Sequence, residues 1–183
     1  MIAGAARGRR LQVPTGDLVR PTSDRVKEAV FSALDSRGLV VAASVLDLWA
    51  GSGALAVEAL SRGAARAVLV ERDERAVEAI RANLDACGFA DRSRVVRSDV
   101  AQFLEGGRPR EAPFDLVFAD PPYGAPSGTL GGLLPALGAS RLSSARGCVV
   151  FECRSGASPE IPEPWRVLWE RTFGDTLVLF LTA

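Results

Sequence analysis

The chain has 183 residues, with 22 basic and 22 acidic side chains and no histidine. This length has room for one core of ordinary size, and the lack of histidine excludes His-based metal sites, Ser-His triads and histidine general bases. The three cysteines lack C-x-x-C spacing, no apolar run reaches transmembrane length, and no signal-peptide core opens the chain, so we expect a reduced cytoplasmic protein that binds neither a metal nor a membrane.

The amino-terminal stretch is basic although the chain as a whole is neutral. Residues 1–27 contain six basic and two acidic side chains, which leaves a net charge of +4. Such an arm indicates an anionic partner docked at one end, the alternative being an ordinary solvated surface. Glycine spacing over residues 2–13 predicts a small hairpin. A helix follows from residue 24, capped by Thr22 or Ser23 and ended by Gly38.

Strands and helices alternate from residue 44 onward, which predicts a doubly wound, mostly parallel α/β sheet with right-handed crossovers. An antiparallel hairpin around Gly174-Asp175 closes the chain and completes a sheet of seven strands. The predicted strands cover residues 45–48, 67–70, 95–96, 114–119, 148–153, 167–169 and 177–181. The helices between them cover residues 54–60, 74–84, 99–104 and 130–137.

The first of these strands runs into a glycine turn, Asp47-Leu48-Trp49-Ala50-Gly51-Ser52-Gly53. G-x-G-x-x-A between a strand and a helix is a nucleotide-binding pattern that is weak alone. Asp47 makes it specific, because an anion here would repel the pyrophosphate of a dinucleotide. S-adenosylmethionine has no phosphate and carries an ammonium and a sulfonium, so the turn favours that cofactor over NAD.

Two further acids end the next strands. Glu71 follows Gly51 by twenty residues and is placed to accept both ribose hydroxyls, and Asp99 is placed to meet the adenine amine. Both belong to one crevice at the carboxyl edge of the sheet. The alternative for each acid is a helix cap, an interpretation that suits Asp99 and Asp73 best and Asp47 least.

The buried strand at residues 114–119 stops abruptly at Asp120-Pro121-Pro122-Tyr123. Consecutive prolines remove two backbone donors and stiffen the chain, so a rigid platform follows the strand. It offers one carboxylate, outward carbonyls and the aromatic face of Tyr123, which together suit a planar ring that bears an amine. In isolation these four residues are equally consistent with a simple turn.

Taken together, these motifs resemble the RsmD family of class I methyltransferases nearly from end to end. The resemblance rests on Arg7-Gly8-Arg9-Arg10-Leu11, Arg20-Pro21-Thr22-Ser23-Asp24-Arg25-Val26, the glycine turn, Asp120-Pro121-Pro122-Tyr123 and Gly174-Asp175-Thr176. Trp49 stands where phenylalanine is more usual, and Phe173 where tyrosine is expected.

The resemblance implies methyl transfer from S-adenosylmethionine to the exocyclic N2 of one guanine in bacterial 16S ribosomal RNA, within a partly or fully assembled small subunit. S-adenosylhomocysteine is the product. Residues 1–22 would form an RNA-contacting arm and residues 23–183 the catalytic domain. The implied catalytic residues are Asp120, Pro121, Pro122 and Tyr123. The implied cofactor residues are Asp47, Trp49, Ala50, Gly51, Ser52, Gly53, Glu71, Arg72, Asp99, Val100 and Thr22. The implied RNA contacts are Arg7, Arg9, Arg10, Arg20 and Arg25, with Arg20 and Thr22 open to either ligand.

Other functions use parts of the same pattern. DNA amino-methylation shares the Asp-Pro-Pro-Tyr chemistry but usually needs a sizeable target-recognition segment. Protein glutamine methylation generally has asparagine in place of Asp120. A non-catalytic cofactor sensor would keep Asp47 and Glu71 without needing Asp120 and Tyr123, and an NAD-linked oxidoreductase conflicts with Asp47.

Overall fold

A computed structural model describes residues 1–13, 24–122, 128–139, 142–156 and 159–183. A single sheet has the strand order β3-β2-β1-β4-β5-β7-β6, parallel except where β7 pairs with β5 and β6. The elements are α1 (Asp24–Asp35), β1 (Ser44–Leu48), α2 (Ala54–Ser61), β2 (Arg66–Glu71), α3 (Glu74–Cys87), β3 (Ser93–Arg97), α4 (Val100–Glu105), β4 (Phe114–Ala119), α5 (Thr129–Ala139), β5 (Ser143–Arg154), β6 (Arg166–Phe173) and β7 (Thr176–Thr182).

The predicted doubly wound sheet is confirmed, including the closing hairpin of β6 and β7. Helices α1, α2 and α3 cover one face of the sheet, where Phe31 of α1 packs on Phe118 of β4 with ring centroids 5.7 Å apart. Helices α4 and α5 cover the other face, around Val117 and Val149. Strand order reverses between β1 and β4, and the carboxyl ends of strands at such a reversal form the usual ligand crevice.

The hairpin predicted for residues 2–13 is not confirmed, because residues 1–13 form turns and contain no strand. Side chains of neighbouring helices take up the backbone donors that a hairpin would have paired. The carboxylate of Glu58 accepts from the N–H groups of Ile2 and Ala3 at 2.9 and 3.0 Å, and Asn83 Oδ1 accepts from Gln12 N–H at 2.7 Å. The predicted domain boundary between residues 22 and 23 lies outside the described residues.

Glu58 is fully buried on α2 and also accepts from the Arg62 guanidinium at 2.8 Å. Replacing Glu58 with alanine leaves two backbone donors and part of that guanidinium unpaired, so we expect the free energy of unfolding to fall by about 3 kcal/mol. Urea denaturation measures the loss, and hydrogen exchange should show faster exchange at Ile2 and Ala3. The control is Glu78→Ala, an exposed glutamate of α3. Equal losses in the two variants would contradict the anchoring role.

Within the described ranges, no helix has the length and apolar character needed to cross a bilayer.

Candidate active site

Four acidic residues lie near the carboxyl ends of four adjacent strands. Asp47 of β1 is level with Leu69 of β2 and Phe118 of β4, and Phe118 is level with Val150 of β5. Two residues further along the other three strands come three acids. Glu71 follows Leu69, Asp120 follows Phe118, and Glu152 follows Val150. Because alternate residues of a strand share a face, the four side chains belong to the face covered by α1, α2 and α3.

The glycine turn after β1 holds Asp47 in place. Asp47 is buried, and its Oδ2 accepts from the backbone N–H of Ala56 in the first turn of α2 at 3.1 Å. Gly53 is the N-cap of that helix and has a φ of 75°, and a Cβ there would lie 3.1 Å from Leu69 Cδ2. The positive φ therefore favours glycine at this position, and a Cβ would also press on the Leu69 side chain of β2.

Glu71 links the glycine turn after β1 to the end of β2 by hydrogen bonds. Its Oε2 accepts from Gly51 N–H at 2.9 Å, and its Oε1 accepts from Arg72 and Asp73 N–H at 2.8 and 2.9 Å. The partly exposed carboxylate keeps further acceptor capacity, since each oxygen has two lone pairs. The predicted contact with ribose hydroxyls is compatible with this arrangement and stays a prediction.

Asp99 acts as a helix cap, the interpretation that the sequence left open for it. Its Oδ1 accepts from Ala101 N–H at 2.8 Å at the start of α4, while Val100 is buried beneath the edge. Asp73 caps α3 in the same way, through Ala76 N–H at 2.9 Å. A capping carboxylate still has free lone pairs, so the predicted contact between Asp99 and adenine stays a prediction.

Burial and mutual repulsion disfavour negative charge at this edge. Burial raises the pKa of Asp47 well above its ordinary value, against the lowering effect of the Ala56 N–H, and the charges of Asp120 and Glu71 raise it further. Burial also raises the pKa of Glu152 to about 8, with smaller contributions from Asp120 and Asp47. A positively charged ligand beside these groups would relieve the repulsion.

These residues fit S-adenosylmethionine better than a dinucleotide. The edge offers carboxyl groups to an ammonium, a sulfonium and ribose hydroxyls, whereas a pyrophosphate would add negative charge beside Asp47. Asp47 and Glu71 would hold the cofactor beside the turn formed by Trp49, Ala50, Gly51, Ser52 and Gly53. Among the residues that the structure describes, no cluster of histidine, cysteine or acidic groups is arranged to hold a metal ion.

The raised pKa of Glu152 predicts a pH-dependent stability. Between the ordinary carboxyl pKa of 4.5 and about 8, the folded protein keeps a proton that the unfolded chain releases. Stability should therefore decrease as pH rises through this window, by up to about 1.4 kcal/mol per pH unit for such a group. Glu152→Gln cannot titrate and should flatten the slope between about pH 6 and 8 in urea denaturation. Glu160→Gln, which changes an exposed acid, should keep the wild-type slope. An unchanged slope in Glu152→Gln would show that Glu152 titrates normally.

Some of the other predicted site residues lie in the described part of the structure, and three lie outside it. Pro121 and Pro122 follow Asp120 just after the end of β4, and Arg72 is exposed beside Glu71. The arginines of the predicted RNA contact that the structure describes are all exposed, and the guanidinium of Arg9 donates to the carbonyl of Ala86. These arginines are Arg7, Arg9, Arg10 and Arg25. Tyr123, Thr22 and Arg20 lie outside the described residues.

Glu152 is a site residue that the sequence motifs did not predict. The signal was present, since Glu152 is an acid inside the otherwise apolar run Cys148-Val149-Val150-Phe151-Glu152-Cys153. A charged side chain in a buried strand is rarely there for packing alone.

The chain is similar to several known proteins. The putative rRNA methyltransferase YlbH of Bacillus subtilis is 38% identical over 128 residues, which cover 67% of this chain and 66% of that protein. Ribosomal RNA small subunit methyltransferase D of Escherichia coli strain K12 is 44% identical over 123 residues, 67% of this chain and 59% of that protein. Each match thus spans less than two thirds of the curated relative. A solved structure described as putative methyltransferase yhhF from Escherichia coli has a TM-score of 0.85 and 35% identity, covering 99% of this chain and 95% of that chain.

The family described as "Conserved hypothetical protein 95" matches residues 1–182, nearly the whole sequence. The match includes the basic segment, the glycine turn, the Asp-Pro-Pro-Tyr platform and the closing hairpin, the same features that carried the resemblance. The chain therefore belongs to this family, which is the RsmD family.

Proposed function

We propose that this protein transfers a methyl group from S-adenosylmethionine to the exocyclic N2 of a guanine in 16S ribosomal RNA. The observation that carries the proposal is the position of Asp120 at the end of β4, beside the buried Asp47 and directly before two prolines. The relatives named as small-subunit rRNA methyltransferases support the choice of RNA. We place the reaction in the cytoplasm, on naked RNA or on a partly or fully assembled small subunit.

The cofactor's reactive end belongs between Asp47 and Asp120. Asp47 would face the ammonium and sulfonium charges, and Glu71 would accept the ribose hydroxyls. When bound, S-adenosylmethionine supplies an electrophilic methyl group on its sulfonium. The chain's contribution is to bring that methyl group and the target amine together in line.

Asp120 prepares the guanine amine for attack. The base leaves its stack to enter the crevice, and its C2 amine donates hydrogen bonds to the Asp120 carboxylate and the Pro121 carbonyl. These bonds localise the nitrogen lone pair, which the ring otherwise delocalises, so that it points to the methyl carbon. The nitrogen becomes cationic as the new bond forms, and its proton leaves to Asp120 or to water. Tyr123 would stack on the ring and keep it in line.

The exposed arginines near the amino terminus would bind RNA phosphates. Such contacts position the substrate without reading its sequence, and they weaken as salt displaces them. Residues 1–22 would thus serve the catalytic domain of residues 23–183 as an RNA-contacting segment, and Arg20 and Arg25 would add to its phosphate contacts. Thr22 would meet the cofactor's methionine end.

Removing two of these charges should change the salt dependence of binding. For the double variant Arg7→Ala, Arg10→Ala we expect weaker RNA binding on every sequence and a slope of log K against log salt that is smaller by about 2. Filter binding at several salt concentrations measures both. A matched control removes two exposed arginines of the edge strand β6, Arg166 and Arg171, and should keep the wild-type slope. An equal change of slope in both double variants would show that the RNA does not bind preferentially at the amino-terminal arginines.

Label transfer tests the proposed substrate class. Unmodified small-subunit particles, naked 16S RNA and duplex DNA are each incubated with the protein and methyl-tritiated S-adenosylmethionine. We expect label in the particles or the RNA. Label in DNA, or none despite measurable cofactor binding, would refute the proposal.

A further inference from the structure

Glu152 is a buried acid for which the described structure offers no compensation. The residue is only 5% exposed, and its Oε1 is a buried oxygen that has no hydrogen-bond partner in the part of the chain that the structure describes. A buried polar atom left unpaired costs free energy, and a nearby negative charge adds to that cost. Among the described residues, the charged groups that act on it are two acids, Asp120 directly after β4 and Asp47 of β1.

Glu152 lies one strand away from Asp120, the residue that contacts the target amine in the proposed mechanism. Ala119 of β4 pairs with Phe151 of β5, so Asp120 and Glu152 are the next residues along two neighbouring parallel strands. Neighbouring strands lie about 4.8 Å apart, a separation comparable to the width of the hydrogen-bonding edge of a purine. A base whose amine contacts Asp120 therefore extends its adjacent edge toward Glu152.

Packing alone does not account for an acid at this position. Glutamine would fill nearly the same volume without a titratable group, and an apolar side chain would remove the unpaired oxygen altogether. The mechanism of methyl transfer also makes no use of Glu152, because Asp120 and the Pro121 carbonyl already accept the two amine hydrogens. The remaining polar groups on the Watson–Crick edge of the bound guanine are O6 and N1–H, and they need partners when water is excluded.

We propose that the Glu152 carboxyl group binds the O6 and N1–H edge of the target guanine and so selects guanine over other purines. The inference rests on the proposed function and adds a specificity residue to it. A protonated carboxyl group has one O–H donor and one free carbonyl acceptor. The O–H donates to guanine O6 and the carbonyl oxygen accepts from N1–H, which satisfies the unpaired oxygen. Because burial keeps Glu152 protonated below about pH 8, the pair needs no proton transfer when the base arrives.

The purine analogue 2-aminopurine separates this role from a structural one, because it keeps the C2 amine but lacks O6 and N1–H. Two RNA fragments are compared, with guanine or 2-aminopurine at the nucleotide that the wild-type protein methylates. We expect wild-type kcat/KM to be about 1000-fold lower for 2-aminopurine, since the analogue lacks the O6 acceptor and the N1–H donor that the Glu152 carboxyl group would pair with. Glu152→Ala should lower kcat/KM for guanine about 100-fold while changing 2-aminopurine by less than about 3-fold. Glu152→Gln, which keeps a donor and an acceptor, should stay within about 10-fold of wild type on guanine.

The affinity for S-adenosylmethionine, measured by calorimetry, reports whether the variants are folded. It should remain within about 3-fold of wild type for both Glu152→Ala and Glu152→Gln. Glu170→Ala, at an exposed acid of β6, is the control and should behave as wild type on both RNAs. Equal losses on guanine and 2-aminopurine in Glu152→Ala and Glu152→Gln would overturn the inference, and so would unchanged activity of Glu152→Ala on guanine. Failure of the proposed function is a separate result, in which the wild-type protein methylates neither RNA.

Discussion

Replacing Asp120 with alanine is expected to lower kcat by about 1000-fold and to change the dissociation constant of S-adenosylmethionine by less than about 3-fold. Asp120 contacts the target amine in the proposed mechanism, whereas the cofactor's charges face Asp47. Loss of the carboxylate removes an acceptor that strengthens only as the nitrogen becomes cationic, so the effect falls on turnover. Single-turnover methyl transfer and calorimetric titration measure the two quantities separately.

The same strand supplies a matched control for this prediction. Asp115 lies at the opposite end of β4, where its Oδ2 accepts from Ser44 N–H at 3.0 Å. Asp115→Ala should leave kcat within about 2-fold of wild type, because the change is far from the carboxyl edge. Asp120→Asn keeps one acceptor oxygen and should fall between wild type and Asp120→Ala. Equal losses of turnover and cofactor affinity in Asp120→Ala would count against the assigned role.

The second large effect is expected at Asp47. Asp47→Asn keeps the shape of the side chain and an oxygen for Ala56 N–H but loses the negative charge, so the dissociation constant of S-adenosylmethionine should rise about 50-fold. Burial raises the pKa of Asp47 well above its ordinary value, so the charge opposes folding. The variant should therefore be more stable than wild type at about pH 8 while binding the cofactor more weakly.

Calorimetric titration and urea denaturation at one pH test both halves of that prediction. Asp85→Asn is a suitable control, because Asp85 is exposed on α3 and away from the turn. It should change neither affinity nor stability by more than the experimental error. A variant that is less stable than wild type but binds the cofactor normally would show that Asp47 serves the fold of the turn and not the ligand.

Much of the fold followed from local patterns in the sequence. Strands and helices have different side-chain periods, about 2 residues for a strand and about 3.6 for a helix. The spacing of apolar residues along the sequence shows which period applies. Asp73 and Asp99 could be recognised as caps because capping depends on near neighbours in the chain. The β6–β7 hairpin followed from its turn residues in the same way.

The failures concern interactions between distant parts of the chain. Residues 1–13 looked like a hairpin because their acceptors, Glu58, Ser61 and Asn83, lie more than fifty residues away. Glu152 was missed as a site residue for the same reason. Only the pairing of β5 with β4 places it beside Asp120, and a register between distant strands cannot be read from either strand alone.

The position of the transferred methyl group is the most direct test of the proposed methylation at the C2 amine of guanine. The RNA product of the wild-type protein is digested to nucleosides, and the methylated nucleoside is identified by mass spectrometry against synthetic standards, with Asp120→Ala treated in parallel. We expect N2-methylguanosine from the wild-type protein and almost none from the variant. A methyl group on N1 or N7 of guanine, or on another base, would contradict the proposed contact between Asp120 and the C2 amine.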